Sequence, residues 1–211
     1  DKWMMGTRNS FFVGIVATLL ATALGTVAAL GLSRPHMPFK AVLMAILISP
    51  MIVPLIITAA GMFFFYSKIG LTHTYLGLIL AHTALGTPFV VITVTATLTG
   101  FDTNLIRASQ SLGADTMRTF FKVIMPLILP GVISGGLFAF ITSFDEVVVV
   151  MFVGSVEQIT IPKQMWAGLR QETSPVILCM ATCLVALSIA LLTTVEMLRR
   201  RSERLRGIKH R

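Results

Sequence analysis

Two adjacent acidic residues, Asp145 and Glu146, are the clearest candidates for chemistry in this sequence. Within residues 127–153, eighteen uncharged residues precede them, and the apolar run VVVVMFV follows them. An ionisable group inside a membrane span costs about 2.5–3.5 kcal/mol on insertion scales, so such groups usually face water or a partner. One interpretation is the attraction of a cationic solute. The alternative is a structural pair near the membrane surface, or a contact with a neighbouring subunit.

Other residue types with catalytic or metal-binding chemistry are sparse. His82 is a lone histidine in an apolar run, which favours a hydrogen-bonded structural role over proton transfer. Cys179 and Cys183 share a helix face, a packing pattern rather than a metal signature. The sequence contains no G-x-x-x-x-G-K-[ST] phosphate-binding loop, so we expect no ATP hydrolysis by this chain. The chain is predicted not to be an enzyme and to hold no cofactor or metal of its own.

The composition places these residues in an all-α membrane protein. Hydrophobic residues make up 55% of the 211 residues and charged residues only 12%, against about 25% charged in soluble domains. A membrane helix needs about 20 mostly apolar residues. Five such spans are predicted, at residues 11–32, 41–66, 75–99, 127–153 and 176–195. Pro50 and Pro54 predict a kink in the second span.

The basic residues predict the orientation of the spans. One set of alternate loops, together with the tail 199–211, carries twelve lysines and arginines, and the other set carries five. Loops rich in lysine and arginine remain in the cytoplasm. The C-terminus and the loop 102–125 are therefore predicted to be cytoplasmic. This distribution also accounts for the net charge of +8 without any nucleic-acid partner.

The loop 102–125 is predicted to form two short amphipathic helices. Leu105, Ala108 and Leu112 fall on one face of the first helix, and Ile106 and Ser109 extend that face. Met117, Phe120, Phe121 and Ile124 repeat the pattern in the second helix. Gly113 suits the bend between them, and Asp115 or Thr116 is a candidate cap for the second helix. The apolar stripe has three possible supports: lipid, the chain's own helices, or a groove of another protein.

This loop resembles the cytoplasmic EAA loop of permease subunits of binding-protein-dependent ABC importers. The sequence has Arg107-Ala108-Ser109, three residues, Gly113, and then an ending of the form VIMPLILPG. Arg107 replaces the usual glutamate and Ser109 the usual second alanine. The resemblance implies a coupling helix that docks on an ATPase. The residues implied in that coupling are Leu105, Arg107, Ala108, Ser109, Leu112, Gly113, Ala114 and Phe120.

Two segments are similar to the subgroup of such permeases that carries the polyamines spermidine and putrescine. They are residues 87–109 and residues 143–154, SFDEVVVVMFVG. The resemblance implies a type I importer transmembrane domain in the bacterial inner membrane, usually with six spans, so the first span is expected to be missing here. It also implies an ATPase dimer that binds Mg-ATP, a second and usually different permease, and an extracytoplasmic solute-binding protein. Asp145 and Glu146 are then candidates for the translocation path.

Several alternatives remain open at this point. The chain could be a permease for another small solute, a proton-coupled carrier that uses His82 with the two acids, or a membrane scaffold. The outer loop 154–175 is either a surface helix, with Trp166 at the interface, or an ordinary loop. The glycines 131, 135 and 136 allow either close helix packing or a flexible start to the fourth span.

Overall fold

The chain folds as a bundle of helices. The structure, a computed structural model, describes residues 2–34, 36–102, 104–171 and 175–205, and all regular secondary structure in those ranges is helical. The α-helices in these ranges are α1 (Lys2–Leu32), α2 (Lys40–Ile52), α3 (Leu55–Lys68), α4 (Tyr75–Thr99), α5 (Asn104–Ser111), α6 (Thr116–Thr119), α7 (Met125–Asp145), α8 (Val148–Val153), α9 (Ile161–Gln171) and α10 (Pro175–Leu205). A π-helical segment, Phe120–Ile124, joins α6 to α7.

Four helices within the described ranges are long and apolar enough to cross a membrane. They are α1, α4, the continuous helix Thr116–Asp145 and α10, and the bent pair of α2 and α3 makes a fifth if it is counted as one span. The predicted spans 11–32 and 176–195 each lie within one helix, and the bounds predicted for 75–99 coincide with those of α4. Long uncharged runs were therefore sufficient to locate these helices.

The predicted span 41–66 is broken rather than kinked. The axes of α2 and α3 differ by 106°. Val53, between them, is extended with φ −71° and ψ 135°, because the ring of the following Pro54 disfavours the helical conformation at this position. Pro50 lies inside α2 without ending it. No residue of α2 is buried within this chain, so this helix is held by few internal contacts.

The centre of the bundle is formed by α1, α4 and α7. Small residues bring the three helices together, as is common where membrane helices pack without a hydrophobic driving force. A Cβ atom at Gly135 would lie 2.7 Å from the Cα of Val90, and one at Gly136 would lie 2.9 Å from the Oγ1 of Thr22. These distances leave no room for a side chain. They support close helix packing over a flexible helix start.

Candidate functional site

The loop 102–125, called the coupling loop below, has an apolar stripe on its solvent-exposed surface. In α5 the side chains of Leu105, Arg107 and Ala108 are exposed, and Leu112, just beyond the helix, is 89% exposed. Nothing in the described part of the chain covers Leu112 to the extent that an apolar side chain in water requires. The chain's own helices therefore do not cover Leu112. Of the three supports considered for the stripe, lipid and a groove of another protein remain.

The neighbouring face of α5 joins the coupling loop to the bundle. Ser109 is half-buried, and its Oγ lies 2.9 Å from the Oγ1 of Thr119, which is buried. Ile106 and Phe120 are also half-buried. The prediction that Ile106 and Ser109 extend the apolar stripe is therefore wrong, because both point inward. Ser109 and Phe120 link the two halves of the coupling loop and do not lie on its exposed surface.

Gly113 makes the bend between the two halves. Its φ of +82° lies in the left-handed region, which glycine adopts without the steric cost that a Cβ would bring. Asp115 then begins α6, because its Oδ1 accepts a hydrogen bond from the Arg118 N–H at 2.7 Å. Ala114, between them, is half-buried. The bend and the cap confirm two details that the sequence predicted for this loop.

The second half of the coupling loop is not a separate helix. It runs from Thr116 through the π-helical segment directly into α7. The N–H of Met125 bonds to the carbonyl of Phe120, five residues earlier. Pro126 follows at once, and a proline both lacks an N–H and clashes with a regular helical carbonyl. The wider π turn accommodates that proline, so one continuous helix, Thr116–Asp145, leads from the coupling loop into the bundle.

The two acids have different environments. Asp145 is exposed at the end of α7. Glu146 is buried at 6% exposure, and its Oε1 accepts a hydrogen bond from the Val149 N–H at 2.8 Å. The predicted span 127–153 is therefore interrupted between α7 and α8. Glu146 has a structural role at the start of α8, whereas the side chain of Asp145 is exposed.

Lys163 stabilises the other end of α8 and was not singled out from the sequence. Its Nζ donates to the carbonyl oxygens of Val150, Gly154 and Ser155 at 3.1, 3.4 and 3.2 Å. A cation is favourable at a helix C-terminus and an anion at the N-terminus, so Glu146 and Lys163 together match the dipole of α8. Burial lowers the pKa of the Lys163 ammonium. No local sequence pattern indicates this contact.

The outer loop 154–175 is anchored to the start of α1. Asn9 donates from Nδ2 to the carbonyls of Glu157 at 2.7 Å and Ile159 at 2.9 Å. Tyr75 donates from its hydroxyl to the same Glu157 carbonyl at 3.0 Å. Within this loop α9 is a helix, with the Arg170 guanidinium 5.3 Å from the centre of the Trp166 ring. A helix is therefore present in this loop, whereas its position on the membrane surface stays a prediction.

His82 is buried between α4 and α7. Its side chain is 1% exposed, and Nδ1 lies 2.7 Å from the Oγ of Ser143 on α7. The contact joins α4 to α7 two residues before Asp145. This geometry supports the structural interpretation of His82 over proton transfer.

The coupling loop and the two acids lie at opposite ends of the bundle. Phe144, beside Asp145, packs against Phe11 near the start of α1, with ring centres 5.0 Å apart. Leu30, near the end of α1, lines the same cavity as Ile106 of the coupling loop. A 31-residue helix at 1.5 Å per residue is about 46 Å long. Asp145 and the coupling loop are therefore separated by nearly the full length of α1.

A comparison with protein families identifies this architecture. Residues 21–204 match the family described as binding-protein-dependent transport system inner membrane component. The chain belongs to that family. It is therefore a multi-pass inner membrane protein and a permease subunit of an ABC importer, and the interpretation as a secondary transporter is not supported.

Relatives with assigned functions match nearly the whole permease. The spermidine/putrescine transport system permease protein PotC of Haemophilus influenzae is 30% identical over 202 residues, which is 96% of this chain and 79% of the relative. The PotC protein of Escherichia coli K12 is 28% identical over 95% of this chain and 76% of its own length. The putrescine permease PotI of the same organism is 28% identical over 88% of this chain and 68% of its own length.

Solved structures show the same fold. The inward-facing MetNI methionine ABC transporter matches with a TM-score of 0.69 and 20% identity over 99% of this chain and 96% of its own. An amino acid ABC transporter crystallised with histidines matches with a TM-score of 0.69 and 15% identity over 95% and 94%. The permease thus has the type I ABC importer transmembrane fold that the sequence predicted.

Proposed function

We propose that this permease forms half of the path by which a polyamine, such as putrescine or spermidine, enters the cytoplasm. The observation that carries the solute class is the match over 96% of the chain to a spermidine/putrescine permease. The exposed carboxylate of Asp145 supports it, because an ammonium group that leaves water needs a compensating negative charge. A permease for another small solute is the remaining alternative.

In this proposal ATP is bound and hydrolysed by a separate ATPase dimer with Mg²⁺. The apolar stripe of Leu105, Ala108 and Leu112 docks in a groove of that ATPase, a recognition mode common for amphipathic helices. Arg107 stands beside the stripe, so the rim of the groove is expected to be acidic or neutral. The Ser109–Thr119 contact and the continuous helix beyond it would carry the movement to α7.

The other partners lie in and outside the membrane. A second permease, usually a different chain in this subgroup, would complete the path. An extracytoplasmic binding protein would deliver the solute at the end where Asp145 lies. Most solute selectivity would reside in that binding protein, so Asp145 would affect the rate of transport more than the choice of solute.

Reconstitution tests this function. The permease is co-expressed with its ATPase, sister permease and binding protein, and the complex is placed in proteoliposomes. We expect putrescine or spermidine to stimulate ATP hydrolysis and to accumulate inside, while glutamate and neutral sugars do neither. An ATPase variant without its phosphate-binding lysine is the control for ATP dependence. Stimulation by anionic or neutral solutes alone would contradict the solute class but not the family.

The orientation of the tail is a separate prediction. Residues 199–211 carry seven lysines and arginines, and residues 206–211 of this tail lie outside the described ranges. We expect a cysteine placed at Ser202 to react with a membrane-impermeant thiol reagent only after the spheroplasts are lysed. A cysteine at Glu157, in the outer loop, is the matched control and should react in intact spheroplasts. The reverse pattern would overturn both the orientation and the docking proposal.

A further inference from the structure

A cavity of about 420 Å³ separates the coupling loop from the ends of the spans. Its size lies within the range of about 300–1,000 Å³ that is usual for small-molecule sites. Apolar side chains from four elements line most of it: Leu30, Leu98, Phe101, Ile106, Phe120 and Ile124. We call it the loop cavity. It lies where α1 and α4 end, and the predicted orientation of the spans places this level at the cytoplasmic surface of the membrane.

Arg34 gives the loop cavity its charge. It is the one charged side chain among the described residues that line the cavity. The two acids of the coupling loop do not line it, and both are engaged in local backbone contacts. The Oδ1 of Asp102 accepts from the Asn104 N–H at 2.9 Å, and the Oδ1 of Asp115 accepts from the Arg118 N–H. The guanidinium of Arg34 therefore remains available to an anion.

The ligand that fits these features has an apolar body and an anionic group. We propose that the loop cavity binds an anionic phospholipid, with its phosphate on Arg34 and part of an acyl chain among the apolar side chains. Basic pockets between membrane helices on the cytoplasmic side are known to bind the headgroups of anionic lipids. The hydroxyl of Ser33 and the amide of Gln110 also line the cavity and are suited to bond to phosphate or glycerol oxygens.

The site does not compete with ATPase docking. Ile106 and Gln110 line the loop cavity from one face of α5, whereas Leu105 and Leu112 are exposed on another. A lipid in the cavity would contact α5, the π-helical segment and the ends of α1 and α4 at the same time. It would fill the space between the element that receives the ATPase movement and the spans that respond to it. Loss of the lipid is therefore expected to weaken the coupling of ATP hydrolysis to transport.

Lipid binding to the purified complex tests this inference independently of any transported solute. Detergent-solubilised complex is titrated with phosphatidylglycerol, and native mass spectrometry gives the number of lipids bound. We expect Arg34→Gln to weaken the tightest binding step about fivefold, the effect of one basic residue near a membrane surface. Arg34→Lys should retain most of the binding. Lys40→Gln, which removes an exposed charge outside the cavity on the same side, should bind as the wild type does.

A photo-reactive residue at Gln110 distinguishes the occupants. In nanodiscs that contain phosphatidylglycerol, we expect illumination to attach a lipid to the permease, and Arg34→Gln to reduce that product. Attachment to the ATPase instead would show that a protein segment fills the cavity and would overturn the proposal. Equal phosphatidylglycerol binding by Arg34→Gln and the wild type would also overturn it. Neither outcome bears on the polyamine proposal, because neither assay contains a solute.

Discussion

Leu112→Asp is expected to abolish most solute-driven uptake while the permease still inserts in the membrane. Leu112 is 89% exposed, so the change removes no internal packing. Loss of a buried leucine contact with the ATPase costs about 1.5–3 kcal/mol, and an unpaired carboxylate in an apolar groove adds to this. The affinity for the ATPase should fall at least about tenfold. Co-purification of the ATPase and solute uptake by proteoliposomes measure the effect.

Ser111→Asp is the matched control for this variant. It adds the same charge to the same turn, and Ser111 is exposed but lies off the apolar stripe. This variant should keep the ATPase bound and uptake close to the wild-type rate. If both variants lose the ATPase equally, a general charge effect explains the result. If Leu112→Asp retains the ATPase and full uptake, the coupling loop is not the docking element.

Asp145→Asn is expected to slow cation uptake about fivefold or more, as removal of one charge close to a passing ammonium group predicts. Glu146→Gln should have a smaller effect, because the amide oxygen can still accept the hydrogen bond that Glu146 receives from the Val149 N–H. The measurement is the initial rate of putrescine uptake by the reconstituted complex at several solute concentrations. Binding of putrescine to the isolated binding protein is unaffected by either variant and serves as the reference.

Two further variants distinguish an effect of the acids on solute uptake from an effect on the stability of the fold. Glu146→Ala removes the contact at the start of α8 and should lower the thermal stability of the detergent-solubilised permease. Asp145→Ala should slow uptake as Asp145→Asn does, without that loss of stability. Unchanged uptake in Asp145→Asn would exclude this acid from the translocation path. A loss in Glu146→Gln as large as that in Asp145→Asn would assign both acids to the path.

Local features of the sequence were sufficient to predict the long apolar helices and the bend and cap of the coupling loop. Long uncharged runs located α1, α4 and α10, because a membrane helix must satisfy its backbone internally and present apolar side chains to lipid. The positive φ at Gly113 and the cap at Asp115 were also predictable. Each depends on backbone conformations within a few residues. The family resemblance of the EAA loop added the partner that periodicity alone left open.

The tertiary structure decided which side chains face inward and which remain free. Ile106 and Ser109 share an apolar pattern with Leu105, but contact with Thr119 turns Ser109 towards the bundle. Asp145 and Glu146 are adjacent and both acidic, yet only Glu146 is enclosed at the start of α8. Periodicity assigns residues to the faces of one helix. Which face is covered depends on residues distant in sequence.

The contacts of Lys163 and the loop cavity also depend on residues that are distant in sequence, and no sequence pattern indicated either of them. The carbonyl groups that Lys163 binds, on Val150, Gly154 and Ser155, become available only because α8 ends beside α9. The loop cavity forms only because α1, α4, α5 and the π-helical segment meet around Arg34. The sequence by itself determined a helical membrane protein with a two-part amphipathic loop and two adjacent acids between apolar runs. The tertiary structure decided their partners, because burial and hydrogen bonding across helices depend on how the spans pack and not on local residue order.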